Sequence, residues 1–245
     1  MINYIKADIY RIMKKKSLKI TLGFYILLFL SIIFILYTNS FTGQDYLSKT
    51  ITFIGFYPLV VGLGIFISIY FDNFRSKSIH VAIGHGVPKS KIVMCYFVTT
   101  ILVTLFVTII FSLFMIGIPS IIKIPLTNAI VSKLLLNLFM QYLRIIGYAS
   151  IASILIFFSQ NGMLGVVAYV LLSSSTVLMI LTVILSQEFF VTTFGDLTQY
   201  LFTNTLNNII VALSSNGLKM IVATSYFAIS LVVSMLAFRK KELEF

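Results

Sequence analysis

The sequence reads FDNFRSKSIHVAIGHGVPKSKI over residues 71–92, and this is the only long polar and basic stretch that lies between two strongly apolar runs. Ile79 and Ile83 are four positions apart, which places them on one face of a short helix. The residues that end this helix are Gly84, Gly86 and Pro88. Because such a helix can place its apolar face in a groove on a soluble protein, the stretch predicts a contact loop.

The composition is that of an integral membrane protein. Of the 245 residues, 59% are hydrophobic and 10% are charged, which no soluble domain of this size matches. Lys and Arg number 18 against 7 Asp and Glu, but thirteen of the basic residues fall in three segments beside apolar runs, at 6–19, 75–91 and 239–241. This pattern indicates the positive-inside rule and not a nucleic-acid surface. The single Cys95 excludes an intrachain disulfide.

Six apolar runs are long enough to cross a bilayer core of about 30 Å as helices of about 20 residues. They are residues 18–37, 53–71, 92–118, 134–158, 163–185 and 218–238. Pro58 lies inside the second run and predicts a kink. The first run is longer than the apolar part of a signal peptide and has no small-x-small site after it, so we expect it to be retained. These runs predict one all-α transmembrane domain over residues 1–245.

The two ends of the chain and the loops between the runs predict the topology. Residues Ile2, Ile5, Ile9, Ile12 and Met13 recur near every 3.6 positions, which predicts an amphipathic helix on the inner membrane surface. Six spans place both termini on one side, and the three basic segments make that side the cytoplasm. The segment 186–217 contains an amphipathic run at 205–213, so we expect a helix at or dipping into the outer interface.

The order of residues in the 71–92 stretch carries a family resemblance. The acidic Asp72 is followed by the basic pair Arg75 and Lys77, by Ser78-Ile79, and by the pattern G-x-G-x-x-K that ends at Lys89. This order resembles the first intracellular loop of the permease subunits of ATP-binding-cassette exporters, in the branch that moves drugs, peptides and polysaccharides. The six-span layout is also similar to bacterial peptide-export and antimicrobial-peptide immunity permeases. One departure is Met94-Cys95-Tyr96, where relatives often have a Lys.

The resemblance implies a coupling helix that docks on a separate ATPase. The residues it assigns to the ATPase-coupling loop are Asp72, Arg75, Lys77, Ile79, Ile83, Gly84, Gly86, Pro88 and Lys89. It also implies two permease subunits side by side in the cell membrane, as a homodimer or a heterodimer. The chain has no G-x-x-x-x-G-K-[ST] motif, so we expect ATP and Mg²⁺ to be bound, and ATP to be hydrolysed, by the partner, and this chain to bind no cofactor.

Arg144 is the only ionisable residue deep within a predicted span, roughly 16 Å along the helix from Lys133. An unpaired charge there costs about 2.5–3.5 kcal/mol, and no acidic residue lies in any predicted span to pair with it. Two interpretations remain open. Arg144 lines a substrate pathway or a subunit seam, or it bonds to backbone carbonyls or to Gln141 and Tyr148 on its own helix.

Other chemistry has little support in the sequence. His80 and His85 point to different faces of a helix, so we expect no metal site. The spans hold no acidic residue of the kind that proton- or sodium-coupled carriers use. Because Arg144 is the only ionisable group deep within the spans, the sequence favours an exporter of an amphipathic peptide or a lipid-like molecule. The alternatives are a secondary transporter or small channel, and a membrane sensor or scaffold that transports nothing.

Overall fold

A computed structural model of the chain describes residues 2–38, 41–76, 78–211 and 217–240, and every regular element in these ranges is helical. The predicted all-α fold is therefore confirmed. In chain order the helices are α1 (Ile2–Lys14), α2 (Lys16–Leu36), α3 (Gly43–Ile54), α4 (Leu63–Phe66), α5 (Asp72–Arg75), α6 (Ser78–Gly84), α7 (Lys89–Ile122), α8 (Asn128–Ser159), α9 (Gly162–Ser173), α10 (Thr176–Leu185), α11 (Glu188–Phe194), α12 (Phe202–Val211) and α13 (Gly217–Lys240). Two π-helical turns, Pro58–Gly62 and Ile67–Phe71, flank α4, and a 3-10 turn, Leu197–Tyr200, precedes α12.

The chain is a multi-pass membrane protein. Within the described residues, five helical stretches are long and apolar enough to cross a membrane, or six if the bent pair α9 and α10 counts as one span. The five are Lys16–Leu36, Gly43–Arg75, Lys89–Ile122, Asn128–Ser159 and Ile221–Lys240. Each of them overlaps one of the predicted runs. The remaining predicted run, 163–185, does not form one straight helix, because its two halves, α9 and α10, meet at an angle of 63°.

The second crossing, Gly43–Arg75, is wound partly as π-helix. The predicted kink at Pro58 takes the form of a π-helical turn that begins at this residue. Such turns shift the backbone hydrogen-bond ladder, so their carbonyls can accept bonds from side chains of other elements. The Tyr169 hydroxyl donates to the Pro58 carbonyl at 2.9 Å, and the Lys15 ammonium donates to the Ser68 carbonyl at 2.7 Å. The π-helical turns are therefore fixed by groups from α9 and from the α1–α2 junction.

A second proline is accommodated in a similar way. Pro119 lies inside α7 and has no backbone N–H, so it leaves the carbonyl of Met115, four residues earlier, without its helical donor. The buried Tyr46 hydroxyl donates to that carbonyl at 2.6 Å. A side chain of α3 thus satisfies a backbone group that the sequence of α7 leaves open.

One end of the bundle collects the basic residues. The Lys15 ammonium lies 2.7 Å from the Asp72 carboxylate, and the Lys89 ammonium lies over the Phe238 ring at 5.8 Å. Phe71, near the end of the second crossing, packs on Gly162, at the start of α9. We call this the basic end; its basic residues include Lys14, Lys15, Lys16, Arg75, Lys89, Lys91, Arg239 and Lys240. The basic segments that were predicted to share one side therefore share one end of the bundle.

Aromatic rings hold the first three crossings together. Tyr25 and Phe29 of α2 contact Phe53, Tyr57 and Phe111, with ring centroids 4.6–5.6 Å apart. All five side chains are buried. In a bilayer the hydrophobic effect does not drive helices together, so the close packing of rings of this size contributes through dispersion and ring geometry.

Two separate helices, α9 and α12, pack along α8 one after the other. The first piece is α9, which starts at the basic end and runs antiparallel to α8. Its Gly165 packs directly on Ile156, and its Tyr169 ring reaches within 6.5 Å of the Tyr148 ring. A turn at Ser175 in the left-handed region, with φ of 61°, follows α9, and α10 leaves at an angle to it. No residue of α10 or α11 is buried.

The second piece is α12, which continues along α8 where α9 stops. Its Thr203 hydroxyl lies 3.0 Å from the Tyr148 hydroxyl, and its Asn207 side chain bonds to Arg144. As residue numbers rise by four along α12 they fall by four along α8, so α12 runs antiparallel to α8, away from the basic end. The single predicted span 163–185 is thus broken. The described part of the expected amphipathic helix within 205–213 is present as α12, which packs against α8 and α13, and residues 212 and 213 lie outside the described residues.

The hydrogen bond from Tyr46 to the Met115 carbonyl, which Pro119 leaves without a helical donor, can be tested. We expect Tyr46→Phe to lower the melting temperature of the purified protein, because an unpaired buried carbonyl costs about 1–3 kcal/mol. Pro119→Ala in the Tyr46→Phe background should restore it, since alanine supplies the backbone N–H that proline lacks. Thermal unfolding of the four proteins of this double-mutant cycle, in one detergent, measures the effect. A Tyr46→Phe loss that Pro119→Ala leaves unchanged contradicts this role of the hydroxyl.

Candidate functional site

The predicted contact loop folds into two short helices at the basic end. α5 continues the second crossing without a break, and Gly86, with φ of 81°, turns the chain after α6 in a conformation that suits glycine. Asn73 is buried at the junction of α5 and α6. Its side-chain amide donates to the Ile69 carbonyl at 2.6 Å. The Ser78 hydroxyl lies within donating distance of the Asn73 side-chain oxygen, at 3.1 Å, and of the Asn73 backbone carbonyl, at 3.2 Å. Asn73 therefore ties the start of α6 to the second crossing.

The loop is also tied to the start of the chain. Lys15, between α1 and α2, donates to the Asp72 carboxylate and to the Ser68 carbonyl, each at 2.7 Å. Both side chains of the ion pair are partly exposed, at 18% for Lys15 and 34% for Asp72, so water screens their attraction in part. One ammonium group thereby connects α1, α2 and the end of the second crossing.

The structure corrects the predicted orientation of α6. Ile79 was expected to present a free apolar face together with Ile83, but the Ile79 side chain is only 2% exposed and belongs to the core of the chain. Ile83 is half-buried and packs against the same core. Ile79 turns inward because α6 lies across the end of the bundle and must bury its apolar side there. Val81, on the same helix, has a side chain that is 60% exposed.

The other residues of the predicted loop occupy different positions. Arg75 is exposed, and Lys89 is half-buried beside the Phe238 ring. Lys77 lies outside the described residues. The exposed residues that surround Val81 along the chain are Gly84, His85, Gly86 and Pro88. The surface formed by these five residues, which we call the α6 surface, is a part of the loop that is open to a partner.

A cavity of about 300 Å³ lies between α1 and α6, and no feature of the sequence predicts it. The residues that line it are Tyr4, Ala7, Asp8, Arg11, Asn73, Ser78, Val81 and Ala82. Arg11 donates to one Asp8 oxygen, at 3.1 Å through Nε, and the other Asp8 oxygen is buried without a hydrogen-bond partner. Burial raises the pKa of the Asp8 carboxyl, against the opposing effect of Arg11. Asp8 is not one of the apolar positions from which the sequence predicted the amphipathic helix, yet α1 packs on α7 and Asp8 is buried.

Arg144 occupies a second polar region, halfway along α8. Its guanidinium donates to the Gln141 side-chain oxygen at 3.1 Å and to the Asn207 side-chain oxygen. Gln141 was one of the two partners that the sequence suggested on the same helix. The other, Tyr148, bonds to Thr203. The sequence could not supply Asn207, because 63 residues separate it from Arg144 and only the break between α9 and α12 brings them together.

Comparison with known proteins adds no family to this geometry. No protein-family model and no curated protein matches the chain. The observations thus establish a multi-pass, all-helical membrane protein with an anchored two-helix loop at its basic end. The assignments of residues 72–89 to an ATPase-coupling loop and of Arg144 to a substrate pathway stay predictions.

The tie between Lys15 and Asp72 generates a second prediction. We expect Lys15→Met to reduce stability by about 1 kcal/mol, which lowers the melting temperature of a protein of this size by about 2–4 °C. Lys16→Met is the matched control, because Lys16 is the exposed neighbour and the net charge changes equally. Asp72→Asn should cost less in the Lys15→Met background than in the wild type. Equal effects of Lys15→Met and Lys16→Met contradict a specific role for the ion pair.

Proposed function

We propose that this chain is the permease subunit of an ATP-driven exporter and that a separate ATPase docks on the loop formed by α5 and α6. The observation that supports this most directly is how the loop is held. Asn73 bonds its base to the Ile69 carbonyl of the second crossing, and Asp72 bonds it to Lys15 at the α1–α2 junction, while the α6 surface around Val81 stays open. A loop that is fixed on one side and exposed on the other can pass a displacement from a partner to the membrane helices.

The proposed route of that displacement runs from α6 into the second crossing. A movement of α6 acts first on Asn73, which bonds to both Ser78 and the Ile69 carbonyl. Ile69 belongs to the π-helical turn next to α5, where the helical ladder is already shifted and a change of pitch breaks few hydrogen bonds. The Lys15 ammonium transmits the same movement to α2 through Asp72.

The proposal places the basic end in the cytoplasm, because basic residues beside membrane helices stay on that side. Both termini and the α6 surface then face the ATPase, which binds ATP and Mg²⁺ and hydrolyses the ATP. Two permease subunits, identical or different, stand side by side in the cell membrane. The substrate is an amphipathic peptide or a lipid-like molecule, because Arg144 is the only charged group deep within the described crossings.

The orientation is tested by labelling single cysteines. Ser90→Cys at the basic end and Ser132→Cys at the start of α8 are both at exposed positions, and Cys95→Ser removes the native buried thiol. A membrane-impermeant maleimide applied to intact cells should label the cysteine at position 132 and not the one at position 90. After the cells are opened, both should react. Labelling of the cysteine at position 90 from outside intact cells contradicts the proposed orientation.

The docking proposal is tested by charge on the α6 surface. Val81→Asp should release a co-purified ATPase and abolish stimulated ATP turnover, because an unpaired carboxylate in an apolar groove costs several kcal/mol. The protein itself should remain stable, since Val81 is exposed. Ile121→Asp is the matched control, as Ile121 is 81% exposed at the far end of α7 and should keep the ATPase bound. Ile79→Asp, in contrast, should destabilise the protein itself.

The complex is measured by co-purification of the tagged chain with each candidate ATPase and by the ATP turnover of the complex. Retention of the ATPase by the Val81→Asp variant, at wild-type turnover, contradicts docking on the α6 surface. If no candidate ATPase binds the wild-type chain or responds to it, the exporter proposal itself fails.

A further inference from the structure

Five polar residues form a stripe along one face of α8. They follow one another at intervals of four, four, three and four positions, which is the spacing of a single helical face: Lys133, Asn137, Gln141, Arg144 and Tyr148. The stripe covers fifteen positions, or roughly 22 Å along the helix axis. It begins near the end of α8 that is far from the basic end, and it stops at Tyr148, where α9 ends and α12 begins.

α12 forms the second wall of this polar region. Its Thr203 pairs with Tyr148, and its Asn207 pairs with Arg144, so the two helices meet through polar side chains. Tyr148 and Thr203 are buried, whereas Arg144 is half-buried and Asn207 is exposed. The boundary between α8 and α12, which we call the α8–α12 seam, is therefore closed at its deep end and open beside Arg144.

The charge of Arg144 is not balanced within the seam. Both of its hydrogen-bond partners are neutral amides, and its Nε is buried without a partner. Among the described residues the ion pairs are Arg11 with Asp8 and Lys15 with Asp72, both at the basic end. A guanidinium carries five N–H donors in a planar fork that matches a carboxylate or a phosphate. In a membrane crossing an anion at this position offsets the cost of the isolated charge.

We propose that the α8–α12 seam binds the anionic oxygen head group of an amphiphile at Arg144. The amides of Gln141 and Asn207 orient the guanidinium, and the apolar tail lies in the surrounding hydrocarbon. This inference rests on the proposed exporter function only in naming the amphiphile as the substrate, and it narrows that substrate to molecules with an ionised carboxylate or phosphate.

The binding test uses the full-length chain in phosphatidylcholine nanodiscs without any ATPase. The probes are a spin-labelled stearic acid, at an alkaline pH that ionises it, and its methyl ester, whose bound fractions are measured by electron paramagnetic resonance. We expect the acid to bind about tenfold to a hundredfold more tightly than the ester, as charge-assisted hydrogen bonds predict. Arg144→Gln should abolish this preference, and Arg144→Lys, which keeps the charge, should retain part of it.

The matched control is Lys49→Gln. It removes the same charge from an exposed position on α3, away from the seam, so it reports any general attraction of anions to this basic chain. We expect it to leave the preference for the acid unchanged. Equal binding of acid and ester to the wild type overturns the proposal, as does an equal loss of preference in Lys49→Gln and Arg144→Gln. Wild-type preference in a monodisperse Arg144→Gln protein also overturns it.

A second measurement separates the exported substrate from a resident membrane lipid. If a partner ATPase is found, the acid and not the ester should stimulate ATP turnover of the complex, and Arg144→Gln should remove that stimulation. Binding of the acid without stimulation overturns its assignment as substrate and leaves head-group binding at Arg144 standing. Because binding is measured without the ATPase, failure of the exporter proposal does not alter the result of the binding test.

Discussion

A backbone N–H or C=O in the hydrocarbon core has no water to bond with, and this requirement explains how the crossings are built. Regular helices satisfy it within themselves, and this chain departs from regular helix at several places. At three of them a tyrosine hydroxyl donates to a backbone carbonyl: Tyr169 to Pro58, Tyr46 to Met115 before Pro119, and Tyr226 to Tyr200 before α12. Tyrosine hydroxyls therefore supply hydrogen bonds to carbonyls at these three departures from regular helix.

At the basic end the constraint on polar groups is weaker, because water can reach this end of the bundle. Charged side chains can lie there at little cost, so the ion pairs of the described residues, Arg11 with Asp8 and Lys15 with Asp72, are found at this end. The Lys15–Asp72 pair joins the α1–α2 junction to the base of the α5–α6 loop, whereas the Arg11–Asp8 pair lies within α1. The α6 surface stays exposed. This combination of a fixed base and an open surface is what makes the loop a suitable place for a soluble partner to act.

The break between α9 and α12 creates the polar region deep in the bundle. Two half-length helices, α9 and α12, pack along α8 in place of one continuous helix. The second of them, α12, brings Thr203 to Tyr148 and Asn207 to Arg144. Discontinuous helices are a recurring way of placing polar groups at the middle of a membrane. The basic end and the α8–α12 seam are thus two regions of the described chain where charged side chains are held by polar partners.

The membrane class, the all-α fold and the approximate position of each crossing could be predicted from the sequence, because apolar runs of bilayer length and the distribution of basic residues are local properties. The position of the polar loop between the second and third crossings and the isolated charge of Arg144 could be predicted in the same way. The direction in which α6 faces needed the folded structure, since Ile79 and Val81 are both apolar and the packing of α6 on the bundle determines which is buried. Asn207, the second partner of Arg144, could not be predicted either, because a contact between residues 63 positions apart depends on where the intervening helix breaks. The serines at 173–175 indicate that break only weakly.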